Sequence, residues 1–170
     1  MTALPSPNYP TSEGLGAAQA LAADGYRVFP VPYGSKVPTL RDWPNVATSD
    51  PDAVARLFAG GPWNIGIATG HGLVVVDIDV KHGVDGFASL KTLEAKLGKL
   101  PITRTVRTPS GGLHIYLRVS AAQRVPNSSG KLGPGIDVRG DGGYVLAPGS
   151  YVGPSAYVVE DDEPQMECPR

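Results

Sequence analysis

The strongest hydrophobic pattern in the chain is an eight-residue run, LVVVDIDV, that extends from Leu73 to Val80. Six of its residues are aliphatic and four of these are valines, a composition typical of a buried β-strand. Two carboxylates, Asp77 and Asp79, interrupt the run two positions apart. Because side chains alternate between the two faces of a strand, both aspartates are predicted to lie on the same face.

Two neighbouring anions in an apolar strand repel each other and resist burial, and a bound divalent cation would offset both costs. Carboxylate oxygens suit magnesium or manganese better than zinc. The alternative is that the strand ends at Val76 and that both aspartates are solvated loop residues. The D-x-D spacing alone leaves both interpretations open.

The pattern along the rest of the chain predicts short helices and strands separated by turns rich in glycine and proline. Helices are predicted from about Thr11 to Asp24, from Pro51 to the residue before Gly60, and over residues 86–97. Strands are predicted over residues 27–31, 64–69, 103–108, 113–119, 136–139, 144–147 and 156–159. This order predicts an α+β fold that is built on antiparallel hairpins rather than on parallel crossover units.

Two local patterns make more specific predictions about strand pairing and burial. The strand over residues 64–69 is separated from the aliphatic strand by Gly70-His71-Gly72, so the simplest expectation is that the two pair as a hairpin. Every second residue of the segment 113–119 is apolar and is expected to face the core. His114 and Tyr116, which lie between them, are expected to face the other way.

Size and composition favour a single cytosolic domain. A chain of 170 residues can bury one sizeable core, and no apolar run approaches the length of a membrane span. The single cysteine, Cys168, excludes a disulfide framework or a cysteine-based metal site. Residues 1–159 carry 14 basic and 11 acidic residues, a net charge of +3 that could help to hold a polyanion.

The two ends of the chain differ from its body. Residues 1–10 contain three prolines and are predicted to be a flexible arm. Residues 160–170 contain five acidic residues and two prolines, and are predicted to be an acidic linker at the boundary of an excised piece. The predicted domain therefore covers residues 11–159.

Two further polar features interrupt predicted strands or turns in the middle of the chain. The first is the turn Ser110-Gly111-Gly112 that leads into His114, and the second is Asp137, which precedes Arg139 by two positions. Three carboxylates that converge on one point can hold two divalent ions and through them a nucleoside triphosphate. A glycine turn lets backbone N–H groups approach phosphate oxygens, and His or Arg adds charge-assisted donors.

Each of these features also has an ordinary structural explanation. His114 could be a partly exposed strand histidine, the glycine turn a simple hairpin turn, Asp137 a turn cap and Arg139 a solvated edge residue. The joint interpretation is favoured because each polar residue interrupts a pattern that would otherwise be apolar or turn-forming.

Four segments resemble, in order, the N-terminal domain of bifunctional primase/polymerases: NIGIATG (64–70), LVVVDID (73–79), TPSGGLHIYL (108–117) and GIDVRGDGGYVLAPGS (135–150). That domain belongs to the archaeo-eukaryotic primase superfamily and occurs in plasmid and phage replication proteins. Its hallmarks are a D-x-D or D-x-E motif, a serine/glycine turn followed by histidine, and a later single aspartate. The upstream segment VFPVPYGSKVPTLRDW (28–43) extends the resemblance to most of residues 14–159.

The resemblance implies an RRM-like antiparallel sheet that carries the motifs, joined to an N-terminal α/β unit. It implies a nucleotidyltransferase with a two-metal mechanism, in which a primer 3′-hydroxyl attacks an incoming nucleotide and releases pyrophosphate. The implied metal ligands for Mg²⁺ or Mn²⁺ are Asp77, Asp79 and Asp137, which are also the implied catalytic residues. The implied nucleotide-binding residues are His114 and Ser110, with Arg139 and Lys36 as weaker candidates for phosphate contacts.

The resemblance also implies partners: a single-stranded DNA template and primer, NTP or dNTP, and a C-terminal helical region and helicase in a longer protein. The zinc-binding variants of the family are not expected, because the chain lacks the cysteines. Two alternatives remain: a metal-dependent phosphodiesterase or nuclease, and a non-catalytic nucleotide- or DNA-binding module. The motifs contain no separate basic residue to position a water molecule, which weighs against a hydrolase, and the intact acidic residues weigh against a decayed site.

Overall fold

The computed structural model describes residues 11–169, so the arm predicted for residues 1–10 lies outside the described part. Within that part the helices are α1 (Thr11–Ala23), α2 (Trp43–Val46), α3 (Pro51–Leu57) and α4 (Gly86–Leu97). The strands are β1 (Val28–Pro32), β2 (Trp63–Ala68), β3 (Leu73–Ile78), β4 (Thr105–Arg107), β5 (Leu113–Arg118), β6 (Ser128–Ser129), β7 (Ile136–Arg139), β8 (Tyr144–Leu146), β9 (Tyr151–Val152), β10 (Ser155–Ala156), β11 (Val158–Asp161) and β12 (Met166–Glu167).

Local capping chemistry sets the starts of the two predicted helices α3 and α4. The carboxylate of Asp50 accepts a hydrogen bond from the backbone N–H of Ala53 at 2.8 Å, directly before α3. Asp85 caps α4 in the same way through the N–H of Ala88 at 3.0 Å. These caps satisfy backbone donors that have no partner within the helix, so each aspartate fixes where its helix begins.

Most of the strands belong to two sheets, a main sheet and a small sheet, whose neighbouring strands are mostly antiparallel. The main sheet has the order β11-β4-β5-β3-β7-β6, and β12 pairs in parallel beside β5. A small three-stranded sheet has the order β1-β2-β8, and β9 pairs with β10. The predicted mixture of a few helices with antiparallel sheets is therefore confirmed.

The hairpin predicted between β2 and β3 is wrong. β2 pairs with β1 and β8 in the small sheet, whereas β3 pairs with β5 and β7 in the main sheet. Gly70, His71 and Gly72 all have positive φ and carry the chain from one sheet to the other, with a single bridge between Gly70 and Leu73. The physical reason is that β3 is aliphatic on both faces, so a central position in a covered sheet buries more of it than a hairpin would.

The main sheet is covered on both faces, and this corrects the expectation for β5. One face packs under α4 through a cluster that includes Ile78, Ile115 and Leu117. The other face contributes Val75 and Tyr116 to a second core that it shares with α1, α3 and the small sheet. The alternation along β5 is as predicted, but the face with Tyr116 is also interior, because the small sheet lies against it.

The acidic C-terminal segment adds strands to the main sheet, where composition predicted a linker. β11 pairs with β4, and β12 pairs with β5. Two ion pairs, Arg107–Glu160 and Arg104–Asp162, join the acidic residues to β4 and to the residue that precedes it. The acids therefore face arginines that lie more than fifty positions away in the sequence. Among the described residues, none of the helices has the length and apolar character to cross a bilayer.

Candidate active site

The register of the main sheet brings the predicted acidic residues together. Asp77 on β3 lies directly opposite His114 of β5 on one side and Asp137 of β7 on the other. Residues that are directly opposite in antiparallel strands project from the same face. Arg139 follows Asp137 by two positions on β7 and shares that face. Asp79 lies directly after the end of β3, one residue beyond the strand, and its carboxylate joins the same cluster. The shared face is the one that the main sheet turns toward the small sheet, because Val75 and Tyr116 on the same face belong to the core between the sheets.

The three carboxylates form a compact donor set. One carboxylate oxygen from each of Asp77, Asp79 and Asp137 lies within 4.8 Å of the other two. Their side chains are partly accessible, with exposed fractions of 13%, 24% and 16%. Carboxylate oxygens that converge in this way fit a hard divalent cation. The set could therefore hold a metal ion of that class.

Basic side chains balance the negative charge of this cluster. The Arg139 guanidinium donates to Asp77 Oδ2 at 3.3 Å and to Asp137 Oδ2 at 3.0 Å. Lys81 Nζ lies 3.0 Å from Asp79 Oδ1. Arg139 was a predicted site residue, and Lys81 was not. Lys81 lies two positions after Asp79 in the sequence, and this closeness of opposite charges is a signal that could have indicated it.

Asp137 is also held from the β6 side. The Ser129 hydroxyl donates to Asp137 Oδ1 at 2.8 Å, and the backbone N–H of Gly130 donates to the same oxygen at 3.1 Å. One carboxylate oxygen is thus anchored by the β6 segment, while the other faces Arg139 and Asp77. No local sequence signal indicated Ser129, because the contact depends on the pairing of β6 with β7.

His114 is almost fully buried beside Asp77. Its exposed fraction is 5%, and its Nε2 lies 3.5 Å from Asp77 Oδ1. Burial lowers the pKa of His114 below its ordinary value, although the Asp77 carboxylate acts in the opposite direction. The imidazole is therefore neutral at neutral pH, with one N–H donor and one acceptor. Its Nδ1 is buried and has no hydrogen-bond partner among the described residues.

A cavity of about 360 Å³ opens above the carboxylates, between the main and small sheets. Tyr144, Val145 and Leu146 of β8 form part of its wall on the small-sheet side. The predicted site residues that line it are Lys36, Asp77, Asp79, Ser110, His114 and Arg139. Asp137 adjoins the cavity through its contact with Arg139.

The serine/glycine turn enters the cavity because β5 must pass very close to β3. A Cβ atom on Gly112 would lie 2.1 Å from the backbone oxygen of Ile78, so only glycine fits there. Gly111 has a φ of 86°, which favours glycine as well. The Thr108 and Ser110 hydroxyls lie 3.1 Å apart at the cavity edge. The two glycines thus place Ser110 next to the end of β3.

Lys36 reaches the cavity from the loop after β1, and the small sheet fixes that loop. The buried side chain of Asn64 donates to the carbonyls of Ser35 at 2.9 Å and Tyr151 at 2.7 Å, and accepts from the Tyr151 N–H at 2.8 Å. The Tyr144 hydroxyl donates to the carbonyl of Lys36 at 2.8 Å. The backbone of Lys36 therefore has a defined position at one end of the cavity.

A comparison with protein-family models matches residues 18–170 to the bifunctional DNA primase/polymerase N-terminal domain. The chain belongs to this family. No curated protein matches the sequence of this Prim-Pol domain closely enough to be reported as a relative. Membership identifies the chain as a DNA primase/polymerase domain, whose substrates are DNA and nucleotides, and confirms the resemblance on which the motif residues were assigned.

The structure of this Prim-Pol domain brings all seven sequence-predicted residues to one region, six around the cavity and Asp137 beside it. Several residues of that region were not predicted. Lys81, Thr108, Asn127 and Tyr157 also line the cavity. No local sequence pattern indicated Asn127. Its side chain accepts a hydrogen bond from the Gly140 N–H at 2.8 Å and donates to the Asp141 carbonyl at 3.2 Å. These contacts join the loop before β6 to the turn after β7.

Proposed function

We propose that this domain catalyses metal-dependent, template-directed nucleotidyl transfer in phage or plasmid DNA replication, in the cytoplasm of the host cell. The observation that carries the proposal is the convergence of Asp77, Asp79 and Asp137 beside a cavity with basic walls. Membership of the Prim-Pol family supplies the class of substrate. The finer fold assignment is also a proposal: the main sheet is the RRM-like element, and the small sheet with α1 and α3 is the N-terminal α/β unit.

The three aspartates would hold one or two Mg²⁺ or Mn²⁺ ions, because their donor set consists of converging carboxylate oxygens, on β3, directly after β3 and on β7. When bound, such ions would neutralise charge on the triphosphate and stabilise the attacking and leaving oxygens of the displacement. The chain's own contribution is to hold the carboxylates in place through β-sheet register. Ser129 and the Gly130 N–H supply a further support for Asp137.

The cavity residues would bind and orient the nucleotide. Arg139 and Lys36 are cations at its wall, and charge-assisted hydrogen bonds to phosphate are among the stronger polar contacts. The neutral imidazole of His114 and the hydroxyl of Ser110 would add donors without adding charge. Together they would direct the α-phosphate toward the carboxylates, where the primer 3′-hydroxyl attacks and pyrophosphate leaves.

The extent of the catalytic domain is a further proposal. The sequence predicted that it ends at residue 159. Because β11 and β12 belong to the main sheet, we propose that residues 11–169 act as one unit. Tyr157, which lines the cavity directly before β11, supports this extent.

The proposal is tested by incubating the domain with a primer labelled at its 5′ end, annealed to a longer single-stranded template, with Mg²⁺ or Mn²⁺ and with dNTPs or NTPs. We expect the labelled strand to become longer. A strand that becomes shorter would overturn the proposal in favour of a nuclease. A strand of unchanged length, together with tight nucleotide binding, would favour a non-catalytic binding module.

Replacing Arg139 by alanine is expected to raise the nucleotide KM by about tenfold or more, because a charge-assisted contact to phosphate is lost. Arg139→Lys keeps the charge but not the planar donor geometry, so its KM should lie between that of the wild type and that of Arg139→Ala. Steady-state primer extension at varied dNTP concentration measures this. Arg56→Ala, an exposed arginine in the last turn of α3, is the matched control. A KM for Arg139→Ala equal to that of Arg56→Ala would contradict the assignment.

A further inference from the structure

Tyr157 is a buried aromatic residue next to the site that no motif indicated. Its exposed fraction is 4%, and it precedes β11. Its backbone is fixed on both sides: its N–H donates to the Ser150 carbonyl at 2.9 Å, and its carbonyl accepts from the Gly149 N–H at 2.9 Å. The backbone of Tyr157 is therefore held against the turn after β8, and its ring is packed in place by burial.

The Tyr157 ring packs against the imidazole of His114. The two ring centroids lie 5.5 Å apart, with planes inclined by 33°. Such aromatic contacts stabilise a defined mutual orientation. Both side chains line the same cavity as the aspartates. The Tyr157 ring is therefore a packing surface for the His114 imidazole.

The polar contacts of His114 are too weak to fix its orientation by themselves. Its Nε2 lies 3.5 Å from Asp77, which is at the outer limit of a hydrogen bond, and its Nδ1 has no partner among the described residues. A side chain with so few polar restraints depends on packing for its rotamer. The aromatic ring that packs against the imidazole is that of Tyr157.

The ring of Tyr157, rather than its hydroxyl, makes the observed contact. Burial, helped by the nearby Asp77 and Asp79 carboxylates, raises the pKa of Tyr157 to about 12, so the phenol is protonated under working conditions. Phenylalanine at this position would preserve the contact.

We propose that Tyr157 is a positioning residue that orients the His114 imidazole toward the nucleotide triphosphate through its aromatic ring. The inference rests on the proposed function, in which His114 contacts the triphosphate. The segment after β10 would then have a positioning role in addition to its pairing with the main sheet through β11.

The test is equilibrium binding of a fluorescent deoxynucleoside triphosphate with Mn²⁺ and without primer, so that no turnover occurs. Four variants are compared with the wild type: Tyr157→Phe, Tyr157→Leu, His114→Ala and the double variant His114→Ala/Tyr157→Leu. Tyr157→Leu is expected to weaken binding by about tenfold, and Tyr157→Phe by less than about twofold. The double variant should bind no more weakly than His114→Ala alone, because Tyr157 acts through His114.

A general loss of structure would not reproduce this pattern, since it would make the two losses additive. Thermal unfolding identifies any variant that does not fold, and Tyr157→Met, which fills similar space with a flexible side chain, then replaces Tyr157→Leu. The inference is overturned if Tyr157→Phe binds as weakly as Tyr157→Leu or if the losses in the double variant add. A wild-type domain that binds no nucleotide would instead overturn the proposed function, and with it the inference.

Discussion

Replacing Asp77 by asparagine is expected to lower the rate of nucleotide incorporation by at least about 10³-fold while the domain stays folded. Asp77 occupies the centre of the site, since it lies opposite both His114 and Asp137 and contacts Arg139. Asparagine preserves the volume and a hydrogen-bond acceptor but removes the negative charge that would hold the metal ions. Single-turnover primer extension with Mg²⁺ or Mn²⁺ measures the rate.

The matched control is Asp52→Asn, which removes an exposed carboxylate in the first turn of α3. It should leave the incorporation rate unchanged. Thermal unfolding should show that Asp77→Asn changes the free energy of unfolding by no more than about 1 kcal/mol, because Asp77 is only partly buried and its ion pair with Arg139 is long. Incorporation by Asp77→Asn within a few fold of the wild type would show that the aspartate cluster is not the catalytic centre.

Replacing Gly112 by alanine is expected to lower the free energy of unfolding by about 3 kcal/mol. The new Cβ would lie 2.1 Å from the Ile78 carbonyl oxygen and 3.1 Å from Thr108 Oγ1. The first contact is with backbone in the central strand, so it can be relieved only by moving β5 away from β3. Denaturant unfolding followed by circular dichroism measures the change.

The same displacement should weaken nucleotide binding, because Ile78 lies between Asp77 and Asp79 and Gly112 follows Ser110 by two residues. Gly16→Ala is the matched control: a Cβ at this exposed position of α1 meets nothing within 4 Å. It should raise stability slightly, by about 0.5–1 kcal/mol, because alanine favours a helix more than glycine does. Equal stability of the two variants would show that the β3–β5 contact is looser than the structure indicates.

The individual elements that carry the site could be predicted from the sequence because their patterns are local. The aliphatic run predicts β3, strict alternation predicts β5, Pro51 indicates the start of α3, and apolar residues at helical spacing predict α4. Strand geometry alone predicts that Asp77 and Asp79 share a face, and that Asp137 and Arg139 do as well. A joint site with Ser110 and His114 was favoured because these residues also interrupt local patterns, whereas Lys36 was indicated only by resemblance to a family.

The features that sequence could not give all depend on pairing between distant segments. The composition of an aliphatic strand does not indicate which strands it pairs with. β3 was therefore predicted to pair with its neighbour in sequence rather than with β5 and β7. The second buried face of β5 depends on the small sheet, which closes over Tyr116. Ser129 reaches Asp137 only because β6 pairs with β7, and the acidic segment becomes structured because it meets Arg104 and Arg107.

The aspartate cluster is expected to support template-directed synthesis. The most direct test measures addition of a single labelled nucleotide to a primer on four templates that differ only in the next template base, with Mg²⁺, with Mn²⁺ and with EDTA. We expect the added nucleotide to follow the template base, to require the metal, and to be lost in Asp77→Asn. Addition that ignores the template base, or that proceeds equally well in EDTA, would contradict the account.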